Sequence, residues 1–354
     1  MARRLLAAAL AALLGLVVVE VGFRLFGPQP YARPVIRDDG DRVVDLGEVI
    51  GFFRDGVFSI PKEPRNGIKP GFRARFCYDR PRWDYFDANG CVEVSINSLG
   101  FRDEEFPLAK PAGELRLLAI GDSFTFAQGC RAEDGWTEVL EDLLADERGA
   151  PVQVMNAGFT GGGSWPQEYA PWVVAHALAF GPDRVVYGMC LNDMDRRVPM
   201  LAYQKVWDDA SILGEPWLGG VSAVLNFLQR QRGQRRFIER RPPNIGDLLR
   251  ADPTNWRANQ EALRAIHAHL REAGVPFTIA VFPMLSLLGD GYPYAELHAE
   301  VGAFCEAEGI DYVDLYQPFH ALADRELWVH PFDQHPAPNA HRLFAEGIFA
   351  HLSR

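Results

Sequence analysis

Hydrophobic residues follow three regimes along this 354-residue chain. The first is a continuous apolar stretch from Leu5 to Val19, behind Met1-Ala2-Arg3-Arg4 and ahead of Glu20, Val21, Gly22, Phe23, Arg24, Leu25 and Phe26. Counted to Phe26, it has about the ~20 residues a helix needs to cross a bilayer. Glu20 and Arg24 sit in its outer third at i,i+4 spacing, which lets them pair on one helix face. In the second regime, residues 27–50 are rich in Pro, Arg and Asp and read as a linker leading off the membrane. Residues 51–113 carry short aromatic and β-branched runs broken by Pro, Gly and Asn, a small β-rich lead-in. From 114 to 354 strand-length apolar runs alternate with helical periods. Strands are predicted near 115–120, 152–156, 184–189, 277–282 and 310–313, and helices near 134–147, 166–180, 256–273, 294–308 and 338–352. That rhythm predicts an α/β domain with a parallel sheet covered on both faces, interrupted by an insertion at about 194–255.

The flanks of the first stretch decide how it is read. No small-x-small cleavage site follows the apolar core and no cysteine is present there for lipid attachment, so residues 1–26 read as an uncleaved transmembrane signal anchor, with a cleaved signal peptide as the alternative. By the positive-inside rule Arg3 and Arg4 stay cytoplasmic and the remainder is exported. Five cysteines, at 77, 91, 130, 190 and 305, suit an exported protein with at most two disulfides and at least one unpaired thiol. Cys77 and Cys91 flank the turn-rich Asp87-Ala88-Asn89-Gly90, which fits either a disulfide across a hairpin or two buried thiols. With 48% hydrophobic residues the chain is no disordered protein, and a formal net charge of -11 argues against nucleic acid as a partner.

Candidate chemistry begins at Gly121-Asp122-Ser123-Phe124, directly after the apolar run Leu115 to Ile120. A serine there stands at a strand's carboxyl edge, where catalytic groups concentrate in α/β sheets, although serine and aspartate also cap helices and shape turns. Distant partners change the weight. Asn192-Asp193 follows the run Arg184 to Met189, and Asp333-Gln334-His335 lies just before Pro338-Asn339 opens the last helix. Together with Gly161, within Asn156-Ala157-Gly158-Phe159-Thr160-Gly161, these residues resemble the blocks of the SGNH/GDSL hydrolase family, in the family's order, over about residues 114 to 353.

The resemblance implies a three-layer, flavodoxin-like SGNH fold and acyl-serine chemistry without a cofactor. It makes Ser123 the nucleophile, His335 the base and Asp333 the orienting acid, and it assigns the oxyanion hole to the backbone N–H groups of Ser123 and Gly161 and the side-chain amide of Asn192. One departure stands out: the family has aspartate three residues before histidine, whereas Phe332 fills that place here and Asp333 is two before. Asp314 is the fallback acid. Ile96-Asn97-Ser98-Leu99-Gly100-Phe101-Arg102-Asp103 resembles a segment of membrane-linked bacterial members, with Gly100 in a turn and Arg102 pairing with a carboxylate. The implied function is a serine esterase removing small acyl groups, acetyl above all, from envelope or extracellular glycans, held on the bacterial inner membrane with its domain in the periplasm or outside the cell. An O-acyltransferase for an exported polysaccharide and a non-catalytic glycan-binding scaffold are the alternatives. Thioesters and phospholipids suit the same residues.

The residue types fit that chemistry. A serine hydroxyl needs a base within hydrogen-bond reach, and histidine has the intrinsic pKa for it, while a tetrahedral oxyanion needs donors already aimed at it. Phe124, Phe126, Trp165 and Trp172 near the blocks are candidates for sugar stacking or for core. No Gly-x-Ser-x-Gly elbow, P-loop or dinucleotide fingerprint occurs. His330, Asp333, His335 and His341 lack regular ligand spacing, so no metal is expected. Within the insertion, six arginines fall between Arg230 and Arg241. They read as a solvated helix face, a cap selecting an anionic acyl acceptor, or a surface resting on anionic headgroups.

Overall fold

The computed structural model describes residues 1–27, 35–44, 70–158, 165–195, 221–239, 245–331 and 333–354. Packing divides them into two units, residues 1–33 with 197–243 and residues 34–196 with 244–354. The chain opens with α1 (Ala2–Phe26), apolar from Leu5 to Val19. In the larger unit, β1 (Val35–Asp38), β2 (Val43–Val44), β3 (Arg73–Cys77) and β4 (Cys91–Ser95) form an antiparallel sheet in the order β2-β1-β3-β4. Residues 35–44 fall in the segment expected to be linker. Instead, β-branched pairs at Val35-Ile36 and Val43-Val44 flank a tight turn and pair across it, with Ile36 opposite Val44. Residues 28–34 and 45–50 of that segment, and 51–69 of the lead-in, lie outside the described residues. Cys77 and Cys91 are register partners in β3 and β4 and are joined by a disulfide.

The main sheet follows: β5 (Leu115–Gly121), α2 (Trp136–Arg148), β6 (Val152–Gly158), α3 (Pro166–His176), β7 (Arg184–Cys190). In the smaller unit lies α4 (Ala223–Glu239). The larger unit resumes with α5 (Ile245–Ala251), α6 (Thr254–Glu272), β8 (Phe277–Phe282), α7 (Ala295–Glu308) and β9 (Asp311–Asp314), then β10 (Trp328–His330), β11 (Asp333–Pro336) and α8 (Pro338–Leu352). Strands β5 to β9 are all parallel, in the order β6-β5-β7-β8-β9, the 2-1-3-4-5 order of flavodoxin-like folds.

Alternation along each strand sends successive side chains to opposite layers. Leu117, Ala119, Val154, Val186 and Phe282 join Trp136, Leu140 and Leu144 of α2 and Phe344, Ala345 and Ile348 of α8 in one core. Tyr187, the neighbour of Val186, faces the other way onto Tyr169 of α3, ring centroids 5.7 Å apart. On that second face α3 packs against α6, and α7 joins α6 through Trp256 and Phe304 at 5.8 Å and an Arg264–Glu308 ion pair at 2.8 Å. Each large apolar side chain taken from water in these layers contributes about 1.5–3 kcal/mol, which is what fixes the strand ends that carry the site.

Candidate active site

Strand order reverses at β5, whose neighbours β6 and β7 lie on either side, and this leaves a crevice beyond the carboxyl ends of the strands. Ser123 stands there, in the turn that leaves β5. Asp122 shapes that turn: its Oδ1 accepts from Phe124 N at 2.8 Å and its carbonyl from Phe126 N at 2.9 Å. The turn rests on strand ends that carry no side chains. Gly121 of β5 is in register with Gly158 of β6 and Gly188 of β7. A Cβ at Gly158 would fall 2.3 Å from Phe126 N, and one at Gly188 2.6 Å from Thr125 Oγ1.

Arg102 holds the far side of the same loop. Buried, it donates to the carbonyls of Phe126, Ala127 and Cys130 and lies over the Phe126 ring at 4.9 Å. This corrects the expectation of a carboxylate partner. Carbonyls turned inward need donors where water is absent, and a guanidinium has five to give. Burial lowers its pKa to about 10, which still leaves it cationic at neutral pH.

His335 arrives on β11, which pairs antiparallel with β10 just before α8. Its Nε2 is 2.9 Å from Ser123 Oγ. Its Nδ1 bonds to Asp333 Oδ1, which also accepts from the His335 backbone N–H at 3.1 Å. The spacing of two follows from the strand: in an extended chain residues i and i+2 project from one face, so Asp333 and His335 meet without the intervening turn that a spacing of three needs. Asp314 does not compete, because it pairs with His298 at 2.8 Å.

Electrostatics reinforce the line. Burial works to raise the Asp333 pKa, but the charge and hydrogen bonds of His335 and the hydroxyl of Tyr78 outweigh it and hold the group at about 2. Burial works to lower that of His335, and the Asp333 carboxylate overrides it, so the imidazole titrates above its ordinary range.

A family model for the GDSL-like lipase/acylhydrolase family matches residues 119–343. The chain belongs to that family. It is therefore a hydrolase of ester bonds with an SGNH-type α/β fold. A search of the curated proteins returned no match. Among solved structures, the chain is similar to TesA (19% identity, TM-score 0.41, covering 67% of this chain and 98% of that one). It is also similar to the esterase EstA of a Pseudoalteromonas species (15%, 0.40, 67% and 96%). A third likeness is to a catalytic mutant of Axe2, an acetylxylan esterase of Geobacillus stearothermophilus (15%, 0.43, 70% and 97%). Likeness at this level carries nothing about substrate.

Of the other positions the GDSL resemblance singles out, Asn192 sits on the short turn Leu191–Met194 after β7. Burial raises the Asp122 carboxyl to about 6 against the lowering effects of the Phe124 N–H, the His335 charge and the Asn192 side chain. The turn is tied down by Asn259 of α6, donating to Asp193 O at 2.7 Å, and by Tyr187, donating to Asp193 Oδ2 at 2.7 Å. Gly161 and Phe332 lie outside the described residues. Phe124, Phe126, Trp165 and Trp172 are all buried, so these four are core and not a sugar-stacking surface. His330 contacts Asp79 O at 3.0 Å, and His341 accepts from Trp136 N at 3.3 Å, at the start of α2.

Sequence reasoning missed Tyr78. Its hydroxyl donates to Asp333 Oδ2 at 2.6 Å across a separation of 255 residues. The lead-in hairpin thereby supplies a fourth member of the line, one residue beyond the Cys77–Cys91 disulfide. The neighbouring cysteine marked the hairpin but gave no sign of where the tyrosine would point.

Proposed function

We propose that this chain is a serine esterase that works through an acyl-serine intermediate. Ser123 Oγ attacks the ester carbonyl while His335 Nε2 takes its proton, Asp333 fixes the imidazole tautomer and stabilises the imidazolium, and Tyr78 orients Asp333. The oxyanion is held by the N–H groups of Ser123 and Gly161 and by the Asn192 amide, each donor contributing roughly 3–4 kcal/mol in the transition state. Collapse expels the alcohol with the proton from His335, and water then releases the acid by the reverse sequence. The observation that carries this reading is the hydrogen-bonded line Tyr78–Asp333–His335–Ser123, with its serine end at the carboxyl edge of the sheet.

The favoured substrates are small acyl esters, acetyl foremost, on envelope or extracellular glycans, a choice drawn from the family resemblance. We place the catalytic domain outside the cytoplasm, held by α1. Support comes from the length of that helix, 25 residues, from a mean hydropathy of 2.5 over its 18-residue apolar window, from Arg3 and Arg4 in its first turn, and from a disulfide, which suits an oxidising compartment. The test is acetate release from acetylated polysaccharide by the full-length chain in detergent, set against a series of p-nitrophenyl esters of rising acyl length. Faster turnover of acetyl than of long acyl esters, with acetate freed from the polysaccharide, agrees with the proposal. A preference for long acyl chains contradicts the substrate, and acetyl groups recovered on an added sugar acceptor instead of water make the chain a transferase.

A further inference from the structure

The smaller unit contains a feature the esterase chemistry does not use. Glu20, a carboxylate within the apolar helix α1, points at the start of α4 and accepts from Ala223 N at 2.6 Å, Val224 N at 3.4 Å and Ser222 Oγ at 2.8 Å, while pairing with Arg24 at 2.8 Å. Ser222 Oγ in turn accepts from Leu225 N at 3.2 Å. The first three amides of α4, which no helix can satisfy internally, are thus all met by protein groups. A helix that starts in water can leave these amides to solvent, whereas one that starts in hydrocarbon must have them met by protein groups.

Two contacts give the direction. Glu20 meets Ala223, and Phe23 meets Phe227 with ring centroids 5.3 Å apart, so the helices advance side by side in the same sense. Arg230 follows Phe227 by three residues as Phe26 follows Phe23, so α4 becomes cationic where α1 ends. Its outward stripe changes character at the same level. Leu225 and Leu228 are 52% and 56% exposed, and Arg232 follows on that face by i, i+3, i+7 spacing. Val221, just before the helix, is 67% exposed. The sequence continues with Arg235, Arg236, Arg240 and Arg241, in a chain whose net charge is -11.

We propose that α4 is a second membrane element. Capped by Glu20, it seats Val221, Leu225 and Leu228 in the leaflet where α1 ends and sets Arg230 and Arg232 against anionic lipid headgroups. The proposal rests on the reading of α1 as a membrane anchor. An apolar start and a cationic continuation along one helix match the polarity gradient of a bilayer interface, and the insertion then belongs to the anchor.

The test uses the full-length chain in vesicles, carrying a fluorophore at Leu228→Cys or, as control, at Leu13→Cys. Among the described cysteines, Cys130, Cys190 and Cys305 are buried and Cys77 and Cys91 are bonded. Lipid-borne nitroxide is expected to quench both labels in phosphatidylethanolamine–phosphatidylglycerol vesicles. Exchange of the anionic lipid for phosphatidylcholine should weaken quenching at position 228 roughly fivefold, the effect of one arginine–headgroup contact, and leave position 13 unchanged. Glu20→Ala should release the label at 228 alone. Loss of quenching at 13 removes the anchor reading itself. Quenching at 13 with a water-accessible label at 228, or quenching at 228 indifferent to lipid charge, overturns the proposal alone. A label at 228 shielded from both water and lipid points to a protein partner and overturns it too.

Discussion

In the proposed mechanism, four side chains in line, Tyr78, Asp333, His335 and Ser123, carry the chemistry at the scale of single residues. If His335 is the base, it must be neutral to act, and its pKa lies above the ordinary value of 6.5 because Asp333 stabilises the imidazolium. kcat/KM should therefore climb with pH along a limb whose midpoint exceeds 6.5. Asp333→Asn should move that midpoint down, and a wild-type midpoint below 6.5 contradicts the arrangement. Tyr78→Phe deletes one hydrogen bond to a charged group. We expect kcat to fall roughly tenfold with KM little changed, where a merely structural tyrosine would alter stability and leave the pH profile alone. Much of this scale was legible in the sequence, because serine, asparagine and histidine each follow a run that announces a strand or precede one that announces a helix. Tyr78 was not, since nothing in the primary structure brings it to a carboxylate 255 residues away.

Elements set those side chains in place, and here legibility depended on length. Strands β5 to β8, of six or seven residues, could be read directly because each run is long enough to stand out; the predicted strand 310–313 is β9, Asp311–Asp314, four residues placed by the long helices on either side of it. The hairpin β1–β2, with strands of four and two residues, is too short for any period, so a proline- and arginine-rich stretch read as linker. The disulfide between β3 and β4 closes a separation of 14 residues, for which chain entropy gives about 3 kcal/mol. The double change Cys77→Ser with Cys91→Ser should lower the melting temperature and reduce activity together, because Tyr78 is the next residue. Unchanged activity in a destabilised variant would separate the hairpin from the site. Arg102→Ala leaves three inward carbonyls without their donor, and each orphaned group costs about 1–3 kcal/mol. Thermal unfolding of that variant at or near the wild-type temperature would contradict the role given to Arg102.

For the whole molecule, pH is the informative variable. Burial raises Asp103 to about 8 and Glu138 to about 9, helped by the charges of neighbouring acids. Groups with folded values above the unfolded ones contribute stability that is complete below the unfolded pKa near 4 and is lost as pH rises through the folded values. Asp333, at about 2, acts in the opposite sense, its contribution present above about 4 and lost toward 2. Denaturant titrations should therefore find stability declining from mildly acid pH toward pH 9, and Glu138→Gln should flatten that decline. A wild-type chain more stable at pH 9 than at pH 6 would contradict the burial of these acids. At this scale the sequence revealed the acidic balance and the arginine cluster. The bond between Glu20 and the start of α4 joins segments about 200 residues apart, and only folding shows it.

The central claim is that Ser123 is a nucleophile activated by His335. Its most direct test is mass-spectrometric mapping of fluorophosphonate adducts on the full-length chain, with ester hydrolysis followed in the same samples. The account predicts a single adduct on Ser123 that forms as hydrolysis is lost, is absent in Ser123→Ala and forms far more slowly in His335→Ala. Hydrolysis that persists in Ser123→Ala, or an inhibiting adduct on another residue, would contradict it.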